Sequence, residues 1–176
     1  MINKLKNRWI FSVALLVVAA QSLAATPGEV PVGGTLREAK LYGFAGDFRW
    51  LSELRGKPLI INVWASWCAP CRAEMGSLER LSQRYGGKQF NIIGISTDDD
   101  PNAAYSFLLQ SGTTFDNYLD YQLTLEHMLG ANTIPLTLLI DADGRVLKKV
   151  RGARKWDSAE TIEMIGQTFS VPMTNQ

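Results

Sequence analysis

The fold of this chain is decided by one short stretch, Trp64-Ala65-Ser66-Trp67-Cys68-Ala69-Pro70-Cys71-Arg72. The run that leads into it, residues 58–64, is almost wholly apolar and rich in β-branched residues, which predicts a strand buried on both faces. The residues that follow predict a helix over 70–85, because their apolar positions lie three or four apart. The two cysteines of the chain therefore fall where a buried strand gives way to the first turn of a helix.

That position suits nucleophilic sulfur chemistry. We expect Cys68 at the helix N-terminus, where unpaired backbone N–H groups and the positive end of the helix dipole stabilise a thiolate. Cys-x-x-Cys motifs lower the pKa of the attacking thiol, and the thiolate is the species that attacks a disulfide. Cys71 lies one turn further along the helix, close enough to close a disulfide but more shielded. Pro70 fits the first helical turn, where its missing N–H is not needed.

The rest of the chain supplies further strands and helices in a regular order. Strand pieces within residues 36–51 surround a turn at 43–47, and a short helical turn follows at 51–56. The later segments are strands at 89–96, 114–119, 136–141 and 146–150, and helices at 101–111, 124–129 and about 158–169. Asp100-Pro101 opens one helix, Asp143-Gly144 marks a hairpin, and Asp157 and Glu160 have capping-box spacing. The order predicts an α/β sandwich around a mixed sheet, in one domain.

The first 24 residues have the layout of a secretory signal peptide. Lys4, Lys6 and Arg8 precede an apolar run at 9–20, and Ser22-Leu23-Ala24 forms a small-x-small cleavage site. The alternative is an uncleaved anchor, but the run is about 12 residues long, whereas a spanning helix needs about 20. We therefore expect residues 1–24 to be removed and residues 25–176 to form the exported domain, which begins with an extended leader to residue 34.

Composition and charge narrow the class of protein. The chain has 176 residues, of which 46% are apolar and 20% charged, so it buries a core without needing disulfide staples. Loss of the three basic residues of the leader would leave 15 lysines and arginines against 17 acidic residues, a formal charge of −2. No basic stripe is present, so nucleic acid is not an expected partner. No cofactor is expected either.

Beyond these patterns, Trp64-Ala65-Ser66-Trp67-Cys68-Ala69-Pro70-Cys71-Arg72 strongly resembles the active-site stretch of the thioredoxin superfamily. The export signal, Glu74 and an inserted unit at residues 96–115 resemble the TlpA/ResA-type branch of extracytoplasmic thiol–disulfide oxidoreductases. The resemblance covers about residues 36–152. It implies a thioredoxin fold with a mixed central sheet flanked by helices, an N-terminal β-hairpin and the inserted αβ unit.

The resemblance also implies roles for particular residues. Cys68 and Cys71 would form the redox-active disulfide. Ile134-Pro135 would be a cis peptide bond facing the pair, which bares the Ile134 backbone for strand-like pairing with a substrate. Trp67, Ala69 and Pro70 would contact the substrate around the cysteines.

One acid and two departures from the family pattern concern the first helix. Glu74 lies three residues after Cys71, so its side chain can return towards the pair as a catalytic acid or base; a solvated surface glutamate is the alternative. Asn62 stands where cytoplasmic thioredoxins usually have a buried acid, and it cannot relay a proton. Gly76 replaces a kinking proline of many relatives.

Other residues with possible chemistry are expected to be structural. His127 is the only histidine and is expected at or near the surface. Asp98-Asp99-Asp100 lacks the spacing of a calcium loop and is expected to be a solvated turn and helix cap. Met75, Met128 and Met164 are expected in the core. No metal site is expected.

The sequence thus predicts a protein disulfide oxidoreductase, with Cys68 attacking a partner disulfide and Cys71 resolving the mixed disulfide. The resemblance implies exported proteins as substrates, including apocytochrome c, and a membrane thiol donor of the DsbD/CcdA kind. The alternatives are a disulfide donor, a thiol peroxidase, and a non-catalytic zinc-binding or docking module. Two cysteines and one histidine fall short of a four-ligand zinc site.

Overall fold

A computed structural model describes residues 27–173, which form one seven-stranded mixed sheet with helices on both faces. The strands are β1 (Lys40–Tyr42), β2 (Phe48–Trp50), β3 (Leu59–Trp64), β4 (Asn91–Ser96), β5 (Asn117–Leu119), β6 (Leu136–Ile140) and β7 (Val146–Arg151). The helices are α1 (Ala69–Tyr85), α2 (Pro101–Ser111), α3 (Thr124–Leu129) and α4 (Ala159–Phe169), and a 3-10 turn spans Leu51–Leu54. This order confirms the predicted α/β class. The predicted signal segment lies outside the described residues.

The buried strand predicted before the cysteines is the centre of the sheet. The strands lie in the order β2-β1-β5-β4-β3-β6-β7, and all six residues of β3 are buried. β3 pairs in parallel with β4 and antiparallel with β6, and β4 pairs in parallel with β5. The carboxyl ends of these three parallel strands therefore lie at one edge of the sheet, where α1 begins.

Two apolar layers enclose this sheet. On one face α1, α2 and α4 pack against residues such as Ile60 and Leu139. On the other face α3, the 3-10 turn and the segment that carries Val30 and Leu36 pack against residues such as Ile61 and Leu138. Because β3 and β6 are covered on both faces, their residues are apolar on both sides of the sheet except for Asn62 and Thr137. Met75 and Met128 are buried in these layers, Met164 is partly buried, and His127 is exposed on α3.

The inserted unit is α2 and β5, which places β5 between β4 and the N-terminal hairpin. Asp100 caps α2 as predicted, since its side chain accepts a hydrogen bond from the Asn102 backbone at 2.9 Å. β5 is shorter than predicted because Thr114 bonds instead to the carboxylate of Glu79, through both its backbone N–H and its hydroxyl. The predicted strand therefore begins only at Asn117.

The capping residue predicted for α4 is wrong. Ser158, not Asp157, caps the helix, and its hydroxyl accepts a hydrogen bond from the Thr161 backbone N–H. Asp157 instead pairs with Arg80 of α1 at 2.7 Å, a contact between elements distant in sequence. α1 itself continues through Gly76, so the glycine at this position leaves the helix unbroken.

Candidate active site

The two cysteines meet at the start of α1. Cys68 is the N-cap residue of the helix, and the pair forms a disulfide with a Cα–Cα distance of 5.3 Å. The sulfur of Cys68 accepts a hydrogen bond from the backbone N–H of Cys71 at 3.2 Å. Cys68 is 5% exposed and Cys71 is fully buried. The outer sulfur therefore lies among the unpaired N–H groups of the helix N-terminus, which favour a negative charge there.

The residues around the pair form an apolar rim at the sheet edge. Trp67 is 69% exposed, which is unusual for so large an apolar side chain. Ala69 and Pro70 form the first turn of α1, and both are exposed. These exposed side chains flank Cys68 in the chain.

The Ile134–Pro135 peptide bond is cis. Pro135 immediately precedes β6, whose first residue, Leu136, pairs with Val63 near the end of β3. Because β3 leads directly into the cysteine loop, Ile134 and Pro135 lie at the same edge of the sheet as Cys68. The Pro135 carbonyl accepts a hydrogen bond from Gly152 at 2.9 Å, and Ile134 is half-buried.

Glu74 lies on α1, one helical turn beyond Cys71, and is only 2% exposed. Its Oε1 accepts a hydrogen bond from the Asn62 side-chain amide at 2.8 Å. Its Oε2 accepts hydrogen bonds from the Arg154 backbone and from the Trp156 indole, both at 2.9 Å. The surface-glutamate alternative is therefore wrong. Burial raises the pKa of this carboxyl above its ordinary value, and the three hydrogen bonds oppose the rise.

A second buried carboxylate was missed by the sequence analysis. Asp98 follows β4 and is 4% exposed, so its expected place in a solvated turn is wrong; Asp99 and Asp100 are exposed. The backbone N–H of Ser66 donates to both of its oxygens, at 2.9 and 3.1 Å, and the Ser66 hydroxyl donates to one of them at 2.6 Å. The available signal was position, because a residue that follows β4 lies at the same sheet edge as the loop that follows β3.

A thioredoxin-type sheet with a Cys-x-x-Cys disulfide at the start of its first long helix defines the class of thiol–disulfide oxidoreductases. Residues 45–165 match the Redoxin family. The chain belongs to this family and is of the TlpA/ResA type within the thioredoxin superfamily.

Individual relatives give the same assignment. The chain is 27% identical over 163 residues to the thiol-disulfide oxidoreductase ResA of Bacillus anthracis, covering 88% of this chain and 94% of the relative. It is 30% identical over 137 residues to ResA of Geobacillus thermodenitrificans, covering 77% and 79%. A solved structure assigned as the thiol:disulfide interchange protein DsbE of Chlorobium tepidum is 26% identical, with a TM-score of 0.72 over 80% of this chain and 99% of that one. The protein is thus a thiol–disulfide oxidoreductase that acts on disulfide-containing substrates.

Proposed function

We propose that the protein acts outside the cytoplasm as a dithiol that reduces disulfides in exported proteins, with Cys68 as the attacking thiol and Cys71 as the resolving thiol. The observation that carries this proposal is the position of the pair. Cys68 caps α1 and is the more exposed cysteine, whereas Cys71 is fully buried behind it. A partner disulfide therefore reaches the sulfur of Cys68 first.

The reaction proceeds through two exchanges. The Cys68 thiolate attacks one sulfur of the partner disulfide, which forms a mixed disulfide and releases the other partner sulfur as a thiolate. The Cys71 thiolate then attacks the sulfur of Cys68, which frees the second partner thiol and closes the Cys68–Cys71 disulfide. Two electrons pass from the protein to its substrate. A membrane dithiol of the DsbD/CcdA kind would return them by the same exchange in reverse.

Glu74 supports two parts of this proposal, the resolution step and the reducing direction. Resolution requires removal of the proton from Cys71, and a buried carboxyl with a raised pKa, one helical turn away, is suited to receive it. Its negative charge, once formed, opposes a nearby thiolate. A destabilised thiolate favours the disulfide form, which makes the dithiol a reductant rather than a strong oxidant.

The substrate-binding residues we propose are Trp67, Ala69, Pro70, Ile134 and Pro135. The exposure of Trp67 and the position of Ile134 and Pro135 at the same sheet edge support this surface. The resemblance of the sequence to the TlpA/ResA-type branch supports apocytochrome c as one client. The basic residues and apolar run of the leader support export, with residues 1–24 as signal peptide and 25–176 as the mature domain. Within residues 27–173, no helix is long and apolar enough to cross a membrane.

Trapping of the mixed disulfide tests the roles of the cysteines. Cys71→Ser protein should hold a disulfide-containing peptide covalently, whereas Cys68→Ser protein should hold none. An oxidised Cys-x-x-Cys-His peptide tests the cytochrome assignment, because this motif attaches c-type haem; a peptide of scrambled sequence with the same disulfide is the control. Capture of the peptide by Cys68→Ser protein alone would reverse the two roles.

Two further measurements test direction and location. Titration of the wild-type pair against a glutathione buffer should give a potential near the reducing end of the range of about −270 to −120 mV that related proteins span. A potential near the upper end would favour the disulfide-donor alternative. Mass spectrometry of the native protein should find an N-terminus at or near Ala25, and an intact Met1 would identify the leader as an anchor.

A further inference from the structure

The two oxygens of Glu74 have partners of different kinds. Oε2 accepts from the Trp156 indole and from the Arg154 backbone N–H, both of which are groups that only donate. Oε1 accepts from the side-chain amide of Asn62, which carries a donor at one end and an acceptor at the other. A proton on Oε2 would face two donors, so a proton that binds Glu74 belongs on Oε1.

Asn62 is fully buried, and its amide is only partly satisfied. Its Nδ2 donates to Glu74 and also to the hydroxyl of Thr137 at 2.9 Å. Its Oδ1 is buried with no hydrogen-bond partner among the described residues. Rotation of the amide by 180° would place Oδ1 against Glu74 and Thr137, and the hydroxyl of Thr137 can donate as well as accept. One end of the amide lacks a partner in either orientation, so the turn exchanges one unpaired buried group for another and adds no further one.

We propose that Asn62 is a positioning residue for Glu74, and that its amide turns over when Oε1 gains a proton. With Glu74 charged, Nδ2 donates to Oε1. With Glu74 neutral, Oδ1 of Asn62 accepts a hydrogen bond from the protonated Oε1. The Thr137 hydroxyl then donates to Oδ1 as well. The inference rests on the proposed role of Glu74 as the base of the dithiol, since it explains how a buried carboxyl takes up and returns a proton without losing its partner.

Among the groups around Glu74, the side-chain amide of Asn62 is the one that can change its hydrogen bonding when Glu74 is protonated. The other ionisable side chains on the first turns of α1 are Arg72 and the two thiols. Arg72 is exposed, with its guanidinium 5.5 Å from the centre of the Phe107 ring. The thiols do not titrate while the disulfide is closed. β3 and β6 present Asn62 and Thr137, neither of which ionises. The loop before α4 contributes Arg154, whose guanidinium lies 3.8 Å from Glu160. Thr137 is two residues beyond Pro135, so the turn of the amide also changes a contact on β6.

Nuclear magnetic resonance of the oxidised wild-type protein tests this inference without any substitution. The side-chain carboxyl carbon of Glu74 and the side-chain amide of Asn62 should shift with the same midpoint as the pH is varied. Contacts between the Asn62 amide protons and the Thr137 side chain should weaken below that midpoint. An Asn62 amide that stays constant through the Glu74 titration would overturn the inference, as would the absence of any Glu74 titration in the pH range where the protein is folded.

Asn117 is an internal control. Its Oδ1 accepts from the Trp64 indole at 2.9 Å and its Nδ2 donates to the Phe115 carbonyl at 2.8 Å, so partners of fixed role hold both ends. Its amide should keep one orientation at every pH. Glu74→Gln presents a donor in place of a protonated Oε1 and should hold Asn62 in the turned orientation throughout. If the Asn62 amide protons of Glu74→Gln protein still contact the Thr137 side chain, as in wild-type protein with Glu74 charged, the proposal is contradicted.

A measurement on reduced protein separates this inference from the proposed function. Asn62→Leu removes the partner of Oε1, so the pH profile of Cys68 alkylation should move if Glu74 governs the dithiol. If the two wild-type signals titrate together but this profile is unchanged, the amide turns as inferred and the proposed role of Glu74 in the thiol chemistry fails. Thr137→Val is the matched control, because it leaves the contact between Asn62 and Glu74 in place.

Discussion

Two buried carboxylates, Asp98 and Glu74, have different kinds of partner around the same pair of cysteines. Both are almost inaccessible to solvent, at 4% and 2% exposure. Asp98 binds the loop that leads to Cys68, mainly through the N–H and hydroxyl of Ser66. Glu74 lies deeper and binds groups from β3 and from the segment before α4. One carboxylate holds a loop in place, and the other is surrounded by groups that can accommodate a change of protonation.

The partners account for that difference. The backbone N–H of Ser66 faces both oxygens of Asp98, and the hydroxyl of Ser96 donates to the second of them at 2.8 Å. Ser66 is two residues before Cys68, so loss of these hydrogen bonds frees the chain next to the attacking sulfur. Around Glu74 the contacts hold together elements of the core, and only Asn62 changes easily between donor and acceptor. In the proposed mechanism, Asp98 holds the cysteine loop in position and Glu74 exchanges the proton.

The largest effect is expected from Asp98→Ala. The change removes a buried carboxylate and leaves the donors of Ser66 without their acceptor, which should lower the free energy of unfolding by about 3 kcal/mol. Urea unfolding of the oxidised protein measures the loss. Asp99→Ala is the matched control, since this exposed neighbour should change stability by no more than about 0.5 kcal/mol. A loss below about 1 kcal/mol for Asp98→Ala would show that the loop does not depend on this carboxylate.

Asp98 also shows what the sequence could and could not predict. Asp98, Asp99 and Asp100 are identical in type, yet one binds the cysteine loop, one is exposed and one caps α2. The cap was predictable because Pro101 follows it and the contact is local. The burial of Asp98 depends on Ser66, which is 32 residues away. Neither composition nor local sequence pattern predicts a contact between residues so far apart.

The same limit applies to Glu74 and to the start of α4. The spacing from Cys71 placed Glu74 near the pair, but its burial depends on Trp156, 82 residues further along the chain. Asp157 has the spacing of a cap, yet its contact with Arg80 across two helices leaves that role to Ser158. The order of strands and helices was predictable, because buried strands and amphipathic helices leave strong periodic patterns.

An intermediate effect is expected from the pH dependence of Glu74→Gln. Because burial raises the pKa of Glu74 in the folded protein, the folded state binds this proton more tightly than the unfolded state does. The stabilisation from Glu74 is therefore fully present below its ordinary pKa of 4.5 and is lost as the pH rises through the raised value. One group changes the unfolding free energy by at most about 1.4 kcal/mol per pH unit.

The measurement is the difference in unfolding free energy between wild-type and Glu74→Gln protein, both oxidised, across a pH series from acid to neutral. The wild type should lose stability relative to the variant as the pH rises. Subtraction cancels the contributions of Asp120 and Glu126, whose pKa values burial also raises. If the wild type instead gains unfolding free energy relative to the variant as the pH rises, the folded state prefers the charged carboxylate. Glu74 would then hold neighbouring elements in place, as Asp98 does.

The smallest effects come from single hydroxyl groups, one beside each carboxylate. Ser96→Ala removes two hydrogen bonds of Asp98, one to its carboxylate and one from its backbone N–H, and should cost about 1.5 kcal/mol. Thr137→Val keeps the shape of the side chain and removes only the acceptor for Asn62, so it should cost about 1 kcal/mol. Urea unfolding at neutral pH measures both.

The pH dependence of Thr137→Val separates the two variants further. Because the hydroxyl of Thr137 changes from acceptor to donor as Glu74 is protonated, the cost of Thr137→Val in unfolding free energy should persist on both sides of the Glu74 midpoint. A cost confined to one side would mean that the hydroxyl serves only one orientation of the amide.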